Sequence, residues 1–93
     1  MKVLFPGSDY MLDSFNHTVE QRLFFVRGVR MSNGPLRVEK DGATNEEVFA
    51  VLIHRLNHLQ LQKPCKETAM AITKLEEAQL WLNARKAAPG EEG

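Results

Sequence analysis

One cysteine, one tryptophan and one tyrosine occur in these 93 residues, and no run approaches the roughly 20 consecutive apolar positions of a membrane-spanning helix. A single cysteine cannot close an intrachain disulfide and suits a reducing compartment. The apolar start Met1-Lys2-Val3-Leu4-Phe5 is cut by Pro6 before it can form a signal-peptide core. Excess charge of either sign is missing too: twelve basic and twelve acidic side chains cancel. Long-range attraction to nucleic-acid polymers or to anionic membranes is therefore not favoured. There is no glycine-rich phosphate loop, no Ser-His-Asp pattern, no internal repeat, and no low-complexity segment before the last six residues. A soluble, intracellular protein is expected.

What is present is sharpest in the second half. Thr44 precedes an apolar-periodic run and Glu47 follows three positions later, so hydroxyl and carboxylate can each satisfy an orphan amide in a capping box. Val48, Phe49, Leu52, Leu56 and Leu59 then recur at three- and four-residue intervals, the spacing of one helix face, while Asn45, Arg55 and Gln62 mark a polar face. Pro64 disfavours helical geometry at Lys63, so the first helix ends near Gln62 and a second starts at about Pro64 or Cys65. So short a connection implies an antiparallel αα-hairpin. In the second helix Ala71, Leu75, Ala78 and Leu82 form the stripe with Ile72 and Trp81 on its flanks, and Pro89-Gly90 marks its limit.

The first forty residues read as short strands, Lys2 to Phe5, Tyr10 to Phe15, Arg22 to Val29 and Leu36 to Lys40, broken by Pro6-Gly7, Asn16-His17 and Ser32-Asn33-Gly34-Pro35. Asn33-Gly34 is the strongest turn signal, although Pro35 argues for a loop longer than two residues. The last two strands are the clearer ones; the first two also read as one bent strand or as partly irregular chain. The expected fold class is α+β: a small N-terminal antiparallel β-sheet (1–42) followed by a C-terminal antiparallel two-helix hairpin (43–87) and a tail (88–93), in one domain. A sheet and two helices this small leave Phe24, Phe25, Phe49, Leu59, Leu61, Leu80 and Trp81 without a common core, which points to a homo-oligomer.

Catalytic signals are thin. His54 and His58 have metal-ligand spacing, but Arg55 occupies the place of a zinc peptidase's glutamate and no third ligand is evident. Two surface or interface histidines are the simpler reading. Cys65 opens a helix, where the dipole lowers a thiol pKa, yet no orienting third residue or oxyanion signature accompanies it, so a capped, half-buried structural thiol is expected. Glu76 and Glu77 are adjacent, so they point about 100° apart and cannot form a paired-carboxylate site within one chain. No enzyme, metal or cofactor is expected.

The strings Asp41-Gly42-Ala43-Thr44-Asn45-Glu46-Glu47-Val48, Leu52-Ile53-His54-Arg55-Leu56-Asn57, Pro64-Cys65-Lys66-Glu67-Thr68, Ala71-Ile72-Thr73-Lys74-Leu75-Glu76-Glu77-Ala78 and Trp81-Leu82-Asn83-Ala84-Arg85 closely resemble the phage Thoeris anti-defence proteins of the first described type. Their helical hairpin is shared with phage anti-CBASS sponges. The match is strong over residues 41 to 85; the strand-forming half agrees only in length and general pattern. The resemblance implies a sponge that sequesters, without cleaving, a nucleotide second messenger in the cytoplasm of an infected bacterium. The messenger implied is a glycocyclic ADP-ribose made by a TIR enzyme, with cyclic di- or trinucleotides held by other members. It also implies dimers that assemble further, as a hexamer built from three dimers, with pockets lined by more than one subunit.

Such a site needs a flat surface for a base, cations or helix amides for a pyrophosphate and polar groups for ribose hydroxyls. Arg85 falls on the family's arginine and is the leading phosphate ligand; the alternative is stacking on Trp81 at i,i+4. Thr68 stands where an asparagine is expected and His58 where an aromatic is expected, with helix capping and plain exposure as the alternatives. Lys66 beside the second helix's start adds a candidate cation that also reads as solvated. Arg27, Arg30 and Arg37 are strand cations that either serve the ligand or form an ordinary polar face. Relatives carry a second arginine one turn after Arg85, where this chain has Pro89; a strand arginine or a second subunit would have to supply that charge. The competing function is a phage protein-interaction module whose hairpin binds a host protein.

Overall fold

The computed structural model describes residues 1–30 and 36–87. They fall into two compact units that divide between Thr44 and Asn45. Antiparallel strands make up the first and two α-helices the second, so the class is α+β as the residue patterns predict.

In the first unit β1 (Lys2–Phe5), β2 (Asp9–Leu12) and β3 (Gln21–Phe24) form an antiparallel sheet in that order. The first two are distinct strands rather than one bent one. Between them the Ser8 amide donates to the Phe5 carbonyl at 3.0 Å, and Gly7 takes φ 80° behind Pro6, the residue order of a type II turn. β4 (Arg27–Arg30) and β5 (Leu36–Lys40) form a separate antiparallel pair. The Asn33-Gly34 turn and the 88–93 tail with Pro89 lie outside the described residues.

The run Arg22 to Val29 is therefore not one strand. At Phe25 the chain leaves the three-stranded sheet, because Ala43, 18 positions later in the chain, takes the hydrogen bonds on either side of it. The Phe25 amide donates to Ser8 O at 2.7 Å, the Ala43 amide to Phe24 O at 2.7 Å and the Val26 amide to Ala43 O at 2.9 Å, a parallel bridge of Phe25 with Ala43. Gly42 permits that approach: a Cβ there would stand 2.7 Å from Phe24 O and 2.7 Å from the Phe25 carbonyl carbon.

Polar and aromatic contacts tie the two sheets together. Lys40 Nζ on β5 meets Asp9 Oδ2 on β2 at 2.7 Å and lies 4.4 Å from the centre of the Phe24 ring. Ser8, buried in the turn, donates its hydroxyl hydrogen to Asp9 Oδ1. Tyr10 and Phe25 pack edge to face at 5.9 Å. The Lys40 hydrogen bond, then the Ser8 hydroxyl, holds the Asp9 carboxyl below its ordinary value of 3.8. A carboxyl depressed in the fold contributes stability that is complete above its unfolded value and disappears as pH falls through the folded one. Asp9→Asn is thus expected to lower stability at neutral pH and to flatten its fall below about pH 4, read from thermal melts across pH 2 to 7.

The second unit is an antiparallel hairpin of α1 (Asn45–Gln62) and α2 (Lys66–Ala87). α1 starts directly after Thr44 and ends before Pro64, as the capping and proline signals predict. The second helix starts at Lys66 because Cys65 serves as its cap: the Ala69 amide reaches the Cys65 carbonyl at 3.2 Å. Gln60 clamps this connection from both sides, donating from Nε2 to Cys65 O at 3.0 Å and accepting from the Cys65 amide at 3.2 Å.

The seam keeps Val48, Phe49, Leu56, Leu75, Ala78 and Leu82 of the stripes read from periodicity and differs from them at the edges. Phe49, Ile53, Leu56 and Gln60 of α1 and Thr68, Leu75, Gln79 and Leu82 of α2 are half-buried, and Ile72, expected on a flank, is buried at 8 % exposure. These positions repeat at alternating intervals of three and four, the pattern of a two-stranded seam. Leu52, Leu59 and Ala71 are exposed instead. So are Leu61, Leu80 and Trp81, at 85 %, 69 % and 73 %.

Candidate functional site

The residues expected to bind a ligand separate into three places. His58, Lys66 and Thr68 belong to the closed end of the hairpin, the last turns of α1 and the first turn of α2. Arg85 lies near the open end. Arg85 lies seventeen positions after Thr68 on one helix, about 25 Å at the α-helical rise. Arg27, Arg30 and Arg37 belong to the strand unit.

At the closed end Cys65 is exposed, not half-buried, because the short link leaves nothing to cover it. Its thiol donates to Thr68 Oγ1 at 3.0 Å, where a serine or threonine cap would bond the third helical residue. When the sulfur is ionised the direction reverses, and donation from the Thr68 hydroxyl, then from its amide, holds the thiol below its ordinary pKa. Thr68 accordingly serves the cap in this structure, and its half-buried hydroxyl still has acceptor and donor capacity for a ligand. Lys66 is exposed. His58 is exposed on α1, its Nε2 lying 3.1 Å from Gln62 Nε2.

His58 also ends an open groove of about 730 Å³ along α1 that Glu47, Ala50, Val51, His54 and Arg55 complete. Periodicity pointed to His54 and Arg55 only as a failed metal motif; their common face with His58 is what the helix adds. Among the described residues no three His, Cys, Asp or Glu side chains are placed to hold a metal ion.

At the open end the guanidinium of Arg85 turns to Glu46 rather than to Trp81. Arg85 Nη2 lies 3.8 Å from Glu46 Oε1, with the glutamate side chain 13 % exposed and the arginine 38 %. Gln79 Nε2 donates to the Glu46 carbonyl at 3.3 Å and fixes the first turn of α1 against α2. Glu46 stands in the first turn of α1, and nothing in the sequence marks it as the partner of Arg85.

In the strand unit Arg27 is half-buried, its guanidinium stacked 4.1 Å from the centre of the Phe5 ring and its Nε 3.9 Å from Glu39 Oε2. It has a structural task between β4 and β1. Arg37 is exposed on β5, and the side chain of Arg30 lies outside the described residues.

Comparison with known proteins then places the helical unit. Thoeris anti-defense 1 of Bacillus phage SBSphiJ7 is 52 % identical over 48 residues, which are 50 % of this chain and 34 % of that protein. The chain thus matches about a third of that relative's length. No solved structure matches. The family model described as Acb2/Tad1, hairpin domain, matches residues 28–87, both helices and the strand pair before them. With that match over more than half of its length, the chain belongs to the Acb2/Tad1 hairpin-domain family.

Proposed function

We propose that this protein is a phage anti-defence sponge: it binds and holds, without cleaving, a nucleotide second messenger of the glycocyclic ADP-ribose class, in pockets shared between copies of the chain. Membership of the hairpin family and a relative named for Thoeris anti-defence support the anti-defence role. The observation that carries the shared pocket is the separation of the site residues. The cation best suited to a pyrophosphate, Arg85, is about 25 Å along α2 from Thr68, Lys66 and the His58 end of the hairpin. That distance exceeds the length of a single nucleotide, so one chain offers half a site at each end of its hairpin. An antiparallel neighbour brings the Arg85 end of one copy to the Thr68 end of another.

The exposed apolar side chains off the seam supply the contact surface for such a neighbour. A dimer, or three dimers joined, is the assembly proposed, acting in the cytoplasm of the infected host. Binding alone suffices for sequestration: the site needs shape, charge-assisted hydrogen bonds and no nucleophile. The same apolar surface also favours the second reading, docking of a host protein.

Calorimetric titration with a glycocyclic ADP-ribose isomer, a cyclic dinucleotide and a cyclic trinucleotide tests the proposal. Heat denaturation of the complex should then return the ligand intact. Binding with intact recovery establishes the sponge and its messenger. A cleaved ligand makes the protein an enzyme, and absence of binding to all three makes the host-protein reading the first choice. The same titration with Arg27→Ala, Arg30→Ala and Arg37→Ala asks whether a strand cation replaces the charge missing at Pro89; unchanged binding in all three rejects that role.

A further inference from the structure

We propose that Glu46 is a latch for Arg85, holding the guanidinium by charge alone in the free protein and giving it up when a phosphate-bearing ligand binds. The inference rests on the reading of Arg85 as the phosphate ligand. Its ground is the geometry of the pair. At 3.8 Å, Nη2 of Arg85 is beyond hydrogen-bonding distance of Glu46 Oε1, so what holds the two together is electrostatic. Nε and Nη2 of Arg85 are both closed to solvent and donate no hydrogen bond.

Those two atoms form one edge of the guanidinium fork, an edge that a phosphate or carboxylate takes in bidentate fashion. In the free protein that edge is neither used nor reachable. A ligand can engage it only if the side chain swings away from Glu46.

The glutamate's backbone keeps its place. Gln79 holds its backbone at 3.3 Å, and its place in the first turn of α1 favours a carboxylate there through the helix dipole. It therefore remains as an anion beside the site, and the ligand must both break the pair and approach a like charge. The latch sets the affinity of the site from within one chain, whichever copy supplies the other half. A glutamate that merely supported the hairpin would weaken binding when altered. A latch does the opposite.

Titrating ¹⁵N-labelled protein with ADP-ribose, which carries base, riboses and pyrophosphate in one molecule, tests this through the Arg85 Nε–Hε cross-peak, identified by its loss in Arg85→Lys. The near-isosteric Glu46→Gln is expected to bind about three- to tenfold more tightly than the wild type at one pH and low ionic strength, the size of a partly exposed ion pair. Glu46→Asp, which keeps the first-turn anion but widens the gap, should fall between the two and decides the matter if the glutamine variant does not fold. Equal or weaker binding by the folded variants, with the Arg85 peak still moving, overturns the latch and leaves the phosphate role standing. A peak that does not move in the wild type or in any variant overturns the phosphate role and the latch with it.

Discussion

Ile72→Ala is expected to cost the helical unit about 2 to 5 kcal/mol, the range for removing most of a buried aliphatic side chain from a core that refills only partly. Folded proteins hold about 5 to 15 kcal/mol in total, so a loss of that order removes a large share of the stability and lowers the melting temperature well beyond the error of the measurement. The expectation follows from position: Ile72 is 8 % exposed at the middle of the seam, among the half-buried Ile53, Leu56 and Leu75. Leu61→Ala and Leu80→Ala are the controls, since these side chains are 85 % and 69 % exposed in the single chain. Urea denaturation followed by circular dichroism, repeated at several protein concentrations, separates the cases. If the two leucine variants lose as much as Ile72→Ala, and do so in a concentration-dependent way, the outer faces are buried between copies. If they are neutral at every concentration, the hairpin stands by its own seam and the shared-pocket proposal loses its contact surface.

Arg85→Ala is expected to weaken nucleotide binding about 10- to 150-fold while assembly persists, because charge-assisted hydrogen bonds are worth about 1.5 to 3 kcal/mol. Arg85 is the cation whose place in the hairpin pattern and whose half-buried setting both suit a pyrophosphate. Pro89 cannot share that load, so the variant should be more severe here than in a chain with two arginines. Calorimetry measures the loss and sedimentation velocity the assembly. Arg85→Lys keeps the charge without the fork and should recover only part of the affinity. Wild-type affinity in Arg85→Ala would remove the residue from the site; loss of binding together with loss of assembly would mean that the pairing with Glu46 holds the open end of the hairpin in shape.

The helix boundaries were legible because local rules determine them. Thr44 with Glu47 announces a start, Pro64 forbids continuation, and the three-residue link that results leaves the helices only an antiparallel arrangement. The short strands were legible from their β-branched and aromatic runs, and β1 and β5 have the bounds those runs predict. Where several segments compete for one backbone, the pattern failed. Arg22 to Val29 reads as one continuous strand, yet it parts at Phe25 because Ala43, made close by the missing Cβ of Gly42, takes the hydrogen bonds on one side.

Part of the seam, Leu52 and Leu59 against Ile53 and Gln60, differs from the periodic reading for a related reason. α1 carries apolar residues around much of its circumference, and periodicity alone cannot say whether Leu52 and Leu59 or Ile53 and Gln60 face the partner helix. Gln60 faces inward because its amide closes the link to Cys65, a contact made only once the hairpin has turned.

By itself, then, the sequence determined the class, the order of elements, the hairpin and the family to which it belongs, since caps, prolines and short strings act over a few residues. Tertiary structure alone decided where the strands divide, which residues edge the seam, and that Arg85 rests against Glu46, 39 positions earlier in the chain. Those outcomes depend on which backbone and which charge arrive first at a given neighbour, and no spacing along the chain records that.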